Sequence, residues 1–174
     1  MRAPLFGWPV WILLAGFALV SCRDAGPEGE LFAISGKLFV FNYRVATAVY
    51  LVTLNPLQPP EDGLTAVGTF EDPAGGEPIV VRQRVWPKLG KVTLESPPLR
   101  CVAKGRPYAV SIVIEDISGA PRQRIETTMT SSEDQSRLPD RPLVTGPFYT
   151  PNPELAGRPD GQIDGTDGCP PAKP

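Results

Sequence analysis

Between Leu31 and Thr130 the chain repeats one pattern: a short run rich in Val, Ile, Phe and Thr, then a cluster of Gly, Pro, Asn or Asp. Seven such runs stand out: Phe32–Asn42, Ala46–Leu54, Leu64–Phe70, Ile79–Trp86, Lys91–Glu95, Tyr108–Asp116 and Arg122–Thr130. Strands show a two-residue period and turns collect residues that accept unusual backbone angles, so the pattern predicts a β protein. Val110, Ile112 and Ile114 alternate with Ser111, Val113 and Glu115, and Val81 and Val85 alternate with Arg82 and Arg84. Ala46–Leu54 is apolar on both faces, as expected of a central, covered strand. No segment keeps a 3.6-residue apolar period for three turns. Gly and Pro, 17 and 22 of 174 residues, stand well above the roughly 12% of average usage, which argues against long helices.

About seven short strands in about 100 residues predict an all-β, antiparallel sandwich of immunoglobulin-like type, with a small Greek-key barrel as the alternative. Gly105-Arg106-Pro107-Tyr108-Ala109-Val110-Ser111 resembles the start of the penultimate strand of such domains. The resemblance implies that the Tyr108 hydroxyl bonds back across a corner. The intersheet disulfide of antibody domains is absent, since no cysteine lies at or near Val49 or Val110.

The N-terminus has a different character. Arg2 precedes eleven uncharged residues, Val10 to Val20, which is the length of a signal-peptide core and short of the roughly 20 residues needed to cross a bilayer. The run ends in Leu19-Val20-Ser21-Cys22, which resembles the lipobox of bacterial lipoproteins. The resemblance implies cleavage before Cys22 and acylation of its thiol and amine. Each buried CH₂ contributes about 0.8 kcal/mol, and two chains suffice for stable anchoring. Arg23 stands where an aspartate would resemble an inner-membrane retention signal, so the outer membrane, facing the periplasm, is the expected site. Trp8 and Trp11 leave with residues 1–21, and Trp86 is then the sole tryptophan.

Residues 22–30 read as a lipidated, solvated tether, 31–130 as the sandwich, and 131–174 as a Pro/Gly-rich extended or disordered tail. Within the tail, Leu143, Val144, Phe148 and Tyr149 sit among prolines and suggest a segment lying against the sandwich or adding an edge strand. With Cys22 lipidated, Cys101 and Cys169 remain, and two thiols in an exported chain predict one disulfide.

The chain has no histidine, which removes His-dependent triads, imidazole metal sites and the usual switch near neutral pH. A net charge of −2 does not suit a nucleic-acid partner. Asp160, Asp164 and Asp167 lie in a Gly-rich stretch, but their spacing is not that of a calcium loop and Pro171 occupies the twelfth position, so the run reads as solvated tail. Glu61-Asp62 and Glu115-Asp116 are adjacent pairs whose side chains diverge on a strand, which does not suit glycoside hydrolysis. Ser111, Ser118, Ser131 and Ser132 have no histidine base and no Ser-x-x-Lys motif to replace it.

What remains is a binding surface. Arg82 and Arg84 share one strand face, Arg122 and Arg124 share another, and Trp86 falls on the side opposite Val81 and Val85. If the two strands are close, four guanidinium groups form a patch for phosphate, sulfate or carboxylate; otherwise they keep strand faces soluble. Trp86 suits stacking on a sugar or anchoring an interface. The expectation is a non-catalytic binding or assembly accessory without cofactor or metal, held by its lipid near an envelope protein or polysaccharide. The alternative is a lipid-anchored inhibitor of a periplasmic protease or muramidase, inserting the Asn55–Gly63 or Asp72–Pro78 loop.

Overall fold

The computed structural model describes residues 29–146, 148–157 and 169. The lipobox, the tether up to residue 28 and the Asp160–Asp167 run lie outside the described residues. The strands are β1 (Phe32–Asn42), β2 (Thr47–Pro56), β3 (Thr65–Phe70), β4 (Ile79–Arg84), β5 (Val92–Glu95), β6 (Pro107–Glu115) and β7 (Pro121–Thr130). They form two antiparallel sheets, of order β1-β2-β5 and β4-β3-β6-β7. The sheets stay separate among the described residues, so the architecture is an immunoglobulin-like sandwich rather than a closed barrel. All seven expected runs are strands.

Alternation decides what each strand buries. On β2 the inward set is Ala48, Tyr50, Val52 and Leu54, and on β6 it is Tyr108, Val110, Ile112 and Ile114, all buried. Burying each large apolar side chain contributes about 1.5–3 kcal/mol, so these two strands supply much of the hydrophobic gain. Tyr50 is the hub of an aromatic group, its ring centroid 4.7 Å from Phe39, 5.0 Å from Phe70 and 6.2 Å from Tyr108. Its hydroxyl donates to the Glu71 carbonyl at 2.9 Å. Burial, reinforced by Tyr108 and the Glu71 carboxylate, pushes its pKa far above the ordinary tyrosine value. The Tyr108 hydroxyl accepts the Ala103 N–H at 2.7 Å, so the corner implied by the resemblance is present.

Two expectations need correction. β2 is central in its sheet, yet its outward side chains Val49 and Leu51 are only half-buried, and they pair with the exposed Val40 and Leu38 of β1. No described element covers that face. The packed unit also runs past residue 130. Leu138 is fully buried in the main core, and Gln135 donates its backbone N–H to the Val102 carbonyl at 2.7 Å. Farther on, the two-residue strands β8 (Val144–Thr145) and β9 (Thr150–Pro151) form a small hairpin, tied to the β1–β2 turn by hydrogen bonds from Leu143 and Val144 to the Arg44 carbonyl. The expected disulfide is present: Cys101 is bonded to Cys169 and fixes that residue to the loop before β6.

Candidate functional site

Strand order decides the fate of the four arginines. β4 and β7 are the two opposite edges of the four-stranded sheet. Arg82 shares a row with Val67, Val113 and Arg124, so three strand spacings, about 14 Å, separate the two guanidinium-bearing edges. Three of the four charges also have a local partner. Arg82 pairs with Glu115 at 2.9 Å, Arg124 with Glu126 at 3.4 Å and Arg122 with Glu61 at 3.6 Å. The joint patch therefore does not form. Arg82, Arg122 and Arg124 balance acids on a solvated sheet face, where such pairs contribute little.

Arg84 behaves differently. Its guanidinium lies over the Trp86 ring, 4.4 Å from the centroid, a cation–π contact made by an exposed side chain. Trp86 follows β4 on the outward phase of the alternation and is half exposed. Pro87–Leu89 then forms one turn of 3-10 helix, Pro87 setting its first residue and Gly90 closing it at φ +65 before β5 begins. This connection carries the chain from the edge of one sheet to the edge of the other. Between them lies an open groove of about 390 Å³, lined by Gln83, Arg84 and Trp86 on one side and Leu89, Lys91 and Thr93 on the other.

The charge of this groove is one-sided. Between Glu77 and Glu95 the chain carries Arg82, Arg84, Lys88 and Lys91 and no acid. Among the described residues Arg84, Lys88 and Lys91 form no salt bridge. An indole, two cations without an ion-pair partner, a carboxamide and a threonine hydroxyl suit an anionic ligand with an apolar face. Leu89, Lys91, Gln83 and Thr93 escaped the reading of the sequence. The available signal was the acid-free run around Trp86.

The remaining candidates have structural occupations. Glu115 holds Arg82. Asp116 accepts from the Ser118 hydroxyl at 2.6 Å and from the Ser118 and Ala120 N–H groups, and these bonds, the hydroxyl first, hold its carboxyl below the ordinary range. Ser111 donates to Glu126, and Ser131 donates to the Glu133 carbonyl. The Asp72–Pro78 loop is braced at its base, where Asp72 accepts the Ala74 and Gly76 N–H groups.

No family model matches the chain, and no curated protein matches it. Among solved structures, similarity extends to a β-glucuronidase of Bacteroides uniformis, at 13% identity and a TM-score of 0.39, covering 58% of this chain and 13% of that one. It extends also to OgpA of Akkermansia muciniphila, at 15% identity and a TM-score of 0.39, covering 66% of this chain and 32% of that one. The chain thus spans a third or less of either protein, and likeness at this level assigns neither activity nor ligand.

Proposed function

We propose that this chain is a lipid-anchored, non-catalytic accessory of the bacterial cell envelope that works by binding. The observation that carries the reading is the groove at the sandwich edge, where Arg84 is stacked on Trp86 beside Lys91 and no described acid neutralises either cation. A groove of this kind can hold an anionic ligand. The Leu19-Val20-Ser21-Cys22 sequence supports the anchored part of the reading, and acylated Cys22 would keep the groove concentrated near envelope components.

The test has two parts, both on the full chain expressed in a bacterium. Metabolic labelling with an alkyne palmitate should mark the wild type and leave Cys22→Ser unlabelled, with the wild type in the membrane fraction. A photo-crosslinking residue at position 88 should capture an envelope component, and Arg84→Ala with Trp86→Ala should reduce the capture. An unlabelled wild type refutes the anchor. Capture that is indifferent to the two substitutions refutes the groove.

A further inference from the structure

The groove belongs to one end of the sandwich, and it is the end at which the described chain begins. Leu57, just past β2, donates its N–H to the Leu31 carbonyl at 2.9 Å, so the β2–β3 loop lies beside the start of β1. Val85 donates to the Leu64 carbonyl at 2.9 Å, which brings the β4–β5 connection to the same end. Arg84, Thr65 and Glu115 form the last row of the sheet, so the β6–β7 turn projects from that end too, with Ile117 against Gly63.

Each of these three loops exposes a large apolar side chain. Ile117 is 91% exposed, Leu89 66%, Trp86 49% and Leu57 43%. Trp86 and Ile117 each follow that row by two residues, on strands that stand two spacings, about 10 Å, apart at the row itself, so both project from this end. Arg84, Lys88 and Lys91 lie on the β4–β5 side of this end. The acids of this end are Glu30, Glu61, Asp62, Glu115 and Asp116, of which Glu61 is occupied by Arg122, Glu115 by Arg82 and Asp116 by Ser118 and Ala120. Apolar tips with a tryptophan and unpaired cations are the chemistry of a bilayer interface bearing anionic headgroups.

We infer that this end docks on the anionic membrane surface, with the β4–β5 side tilted toward the headgroups. The inference rests on the lipid-anchored reading and names the partner of the same groove. Nine residues, Cys22 to Glu30, separate the lipid site from Leu31 and can span at most about 30 Å. β1, eleven residues long, sets the opposite end about 35 Å farther away. The exposed aromatics at that far end, Tyr43, Phe148 and Tyr149, are thus the ones the tether holds away from the bilayer. Two acyl chains already retain the protein, so docking sets the domain's orientation rather than its retention.

The unlipidated chain of residues 23–174 contains every described element and the disulfide, and Trp86 is its only tryptophan. With vesicles of phosphatidylglycerol and phosphatidylethanolamine its emission should shift to the blue and be quenched by brominated acyl chains. Neutral phosphatidylcholine vesicles, or raised salt, should abolish the shift. Lys88→Ala and Lys91→Ala should each weaken co-sedimentation about fivefold. Leu38→Ser with Val40→Ser, on the outer sheet face, should leave it unchanged. Unaltered Trp86 emission with every vesicle overturns the inference, as does a blue shift produced only by envelope protein or polysaccharide. Because this assay uses no lipid on Cys22, it fails independently of the labelling experiment: labelled Cys22 with inert vesicles refutes docking alone.

Discussion

Gln123 and Phe32 are joined through both backbone polar groups of Phe32. The Gln123 Oε1 accepts the Phe32 N–H at 2.9 Å, and its Nε2 donates to the Phe32 carbonyl at 2.8 Å. The same oxygen accepts the Leu31 N–H at 2.9 Å. A side chain of β7 thus stands in for a neighbouring strand and links the edges of the two sheets where the chain enters the fold. Lys37 repeats the bridge farther along, its Nζ donating to Thr127 Oγ1 and to the Thr128 carbonyl at 2.7 Å each. Gln123→Leu keeps the bulk and strands three half-buried backbone groups. It is expected to lower unfolding free energy by about 1–3 kcal/mol in urea titrations and to speed amide exchange at Phe32. A wild-type midpoint would show the bridge to be idle.

That bridge illustrates what was legible in the sequence and what was not. Strands were legible because alternation and turn chemistry are local: the run Phe32–Asn42 coincides with β1, and Tyr108 forms its corner five residues back. The disulfide followed from counting thiols in a chain whose N-terminal sequence resembles an export signal. The arrangement of side chains across the sheets was not legible, because it depends on strand order. Arg82 and Arg124 look alike in sequence, yet β3 and β6 lie between them. Gln123 reads as one more polar residue on a strand until β1 is placed against it. Leu138 sits in a Pro-rich stretch whose composition suggests exposure, and only its place in the buried core cluster shows otherwise. Likewise Arg84 and Trp86 were both candidates, but Lys91 joined them only once β5 crossed to the other sheet.

Gly68 leaves no room for a side chain in the core. A Cβ there would lie 2.8 Å from the Phe70 ring and 3.1 Å from Leu94 Cδ1, on the inward face of β3. Phe70 in turn stacks on Tyr50 at 5.0 Å, so the ring has little freedom to retreat. Gly68→Ala is expected to destabilise by about 1–3 kcal/mol through overpacking, despite the better strand propensity of alanine. A thermal melt at unchanged or raised midpoint would contradict this.

Cys101 and Cys169, 68 positions apart in sequence, close a loop that includes β6, β7 and the small β8–β9 hairpin. The chain-entropy argument assigns such a crosslink about 4 kcal/mol, acting mainly on the unfolded chain. Reduction, or Cys101→Ser with Cys169→Ser, is therefore expected to lower the unfolding midpoint strongly while leaving the β-sheet circular dichroism of the native state in place. Loss of that signal on reduction in the absence of denaturant would mean that the sandwich cannot stand without its crosslink.

Asp134 joins the segment after β7 to the loop before β6. Its carboxylate accepts the Ser136 N–H at 3.1 Å, capping the short 3-10 turn Gln135–Arg137, and the Lys104 N–H at 3.3 Å. Partial burial works to raise its pKa, but these bonds and the Ser136 hydroxyl outweigh it and hold the carboxyl below the ordinary aspartate range. A depressed native pKa adds stability that is fully present above the unfolded value of about 4 and disappears as pH falls through the native one. Wild-type melting temperature should hence fall on acidification from pH 5 to pH 2.5. Asp134→Asn lacks the ionised group, so it should melt lower than wild type at pH 6, show a shallower fall, and approach the wild-type curve near pH 2.5. Curves that stay parallel across this range would show that the Asp134 charge plays no part in holding the two segments together.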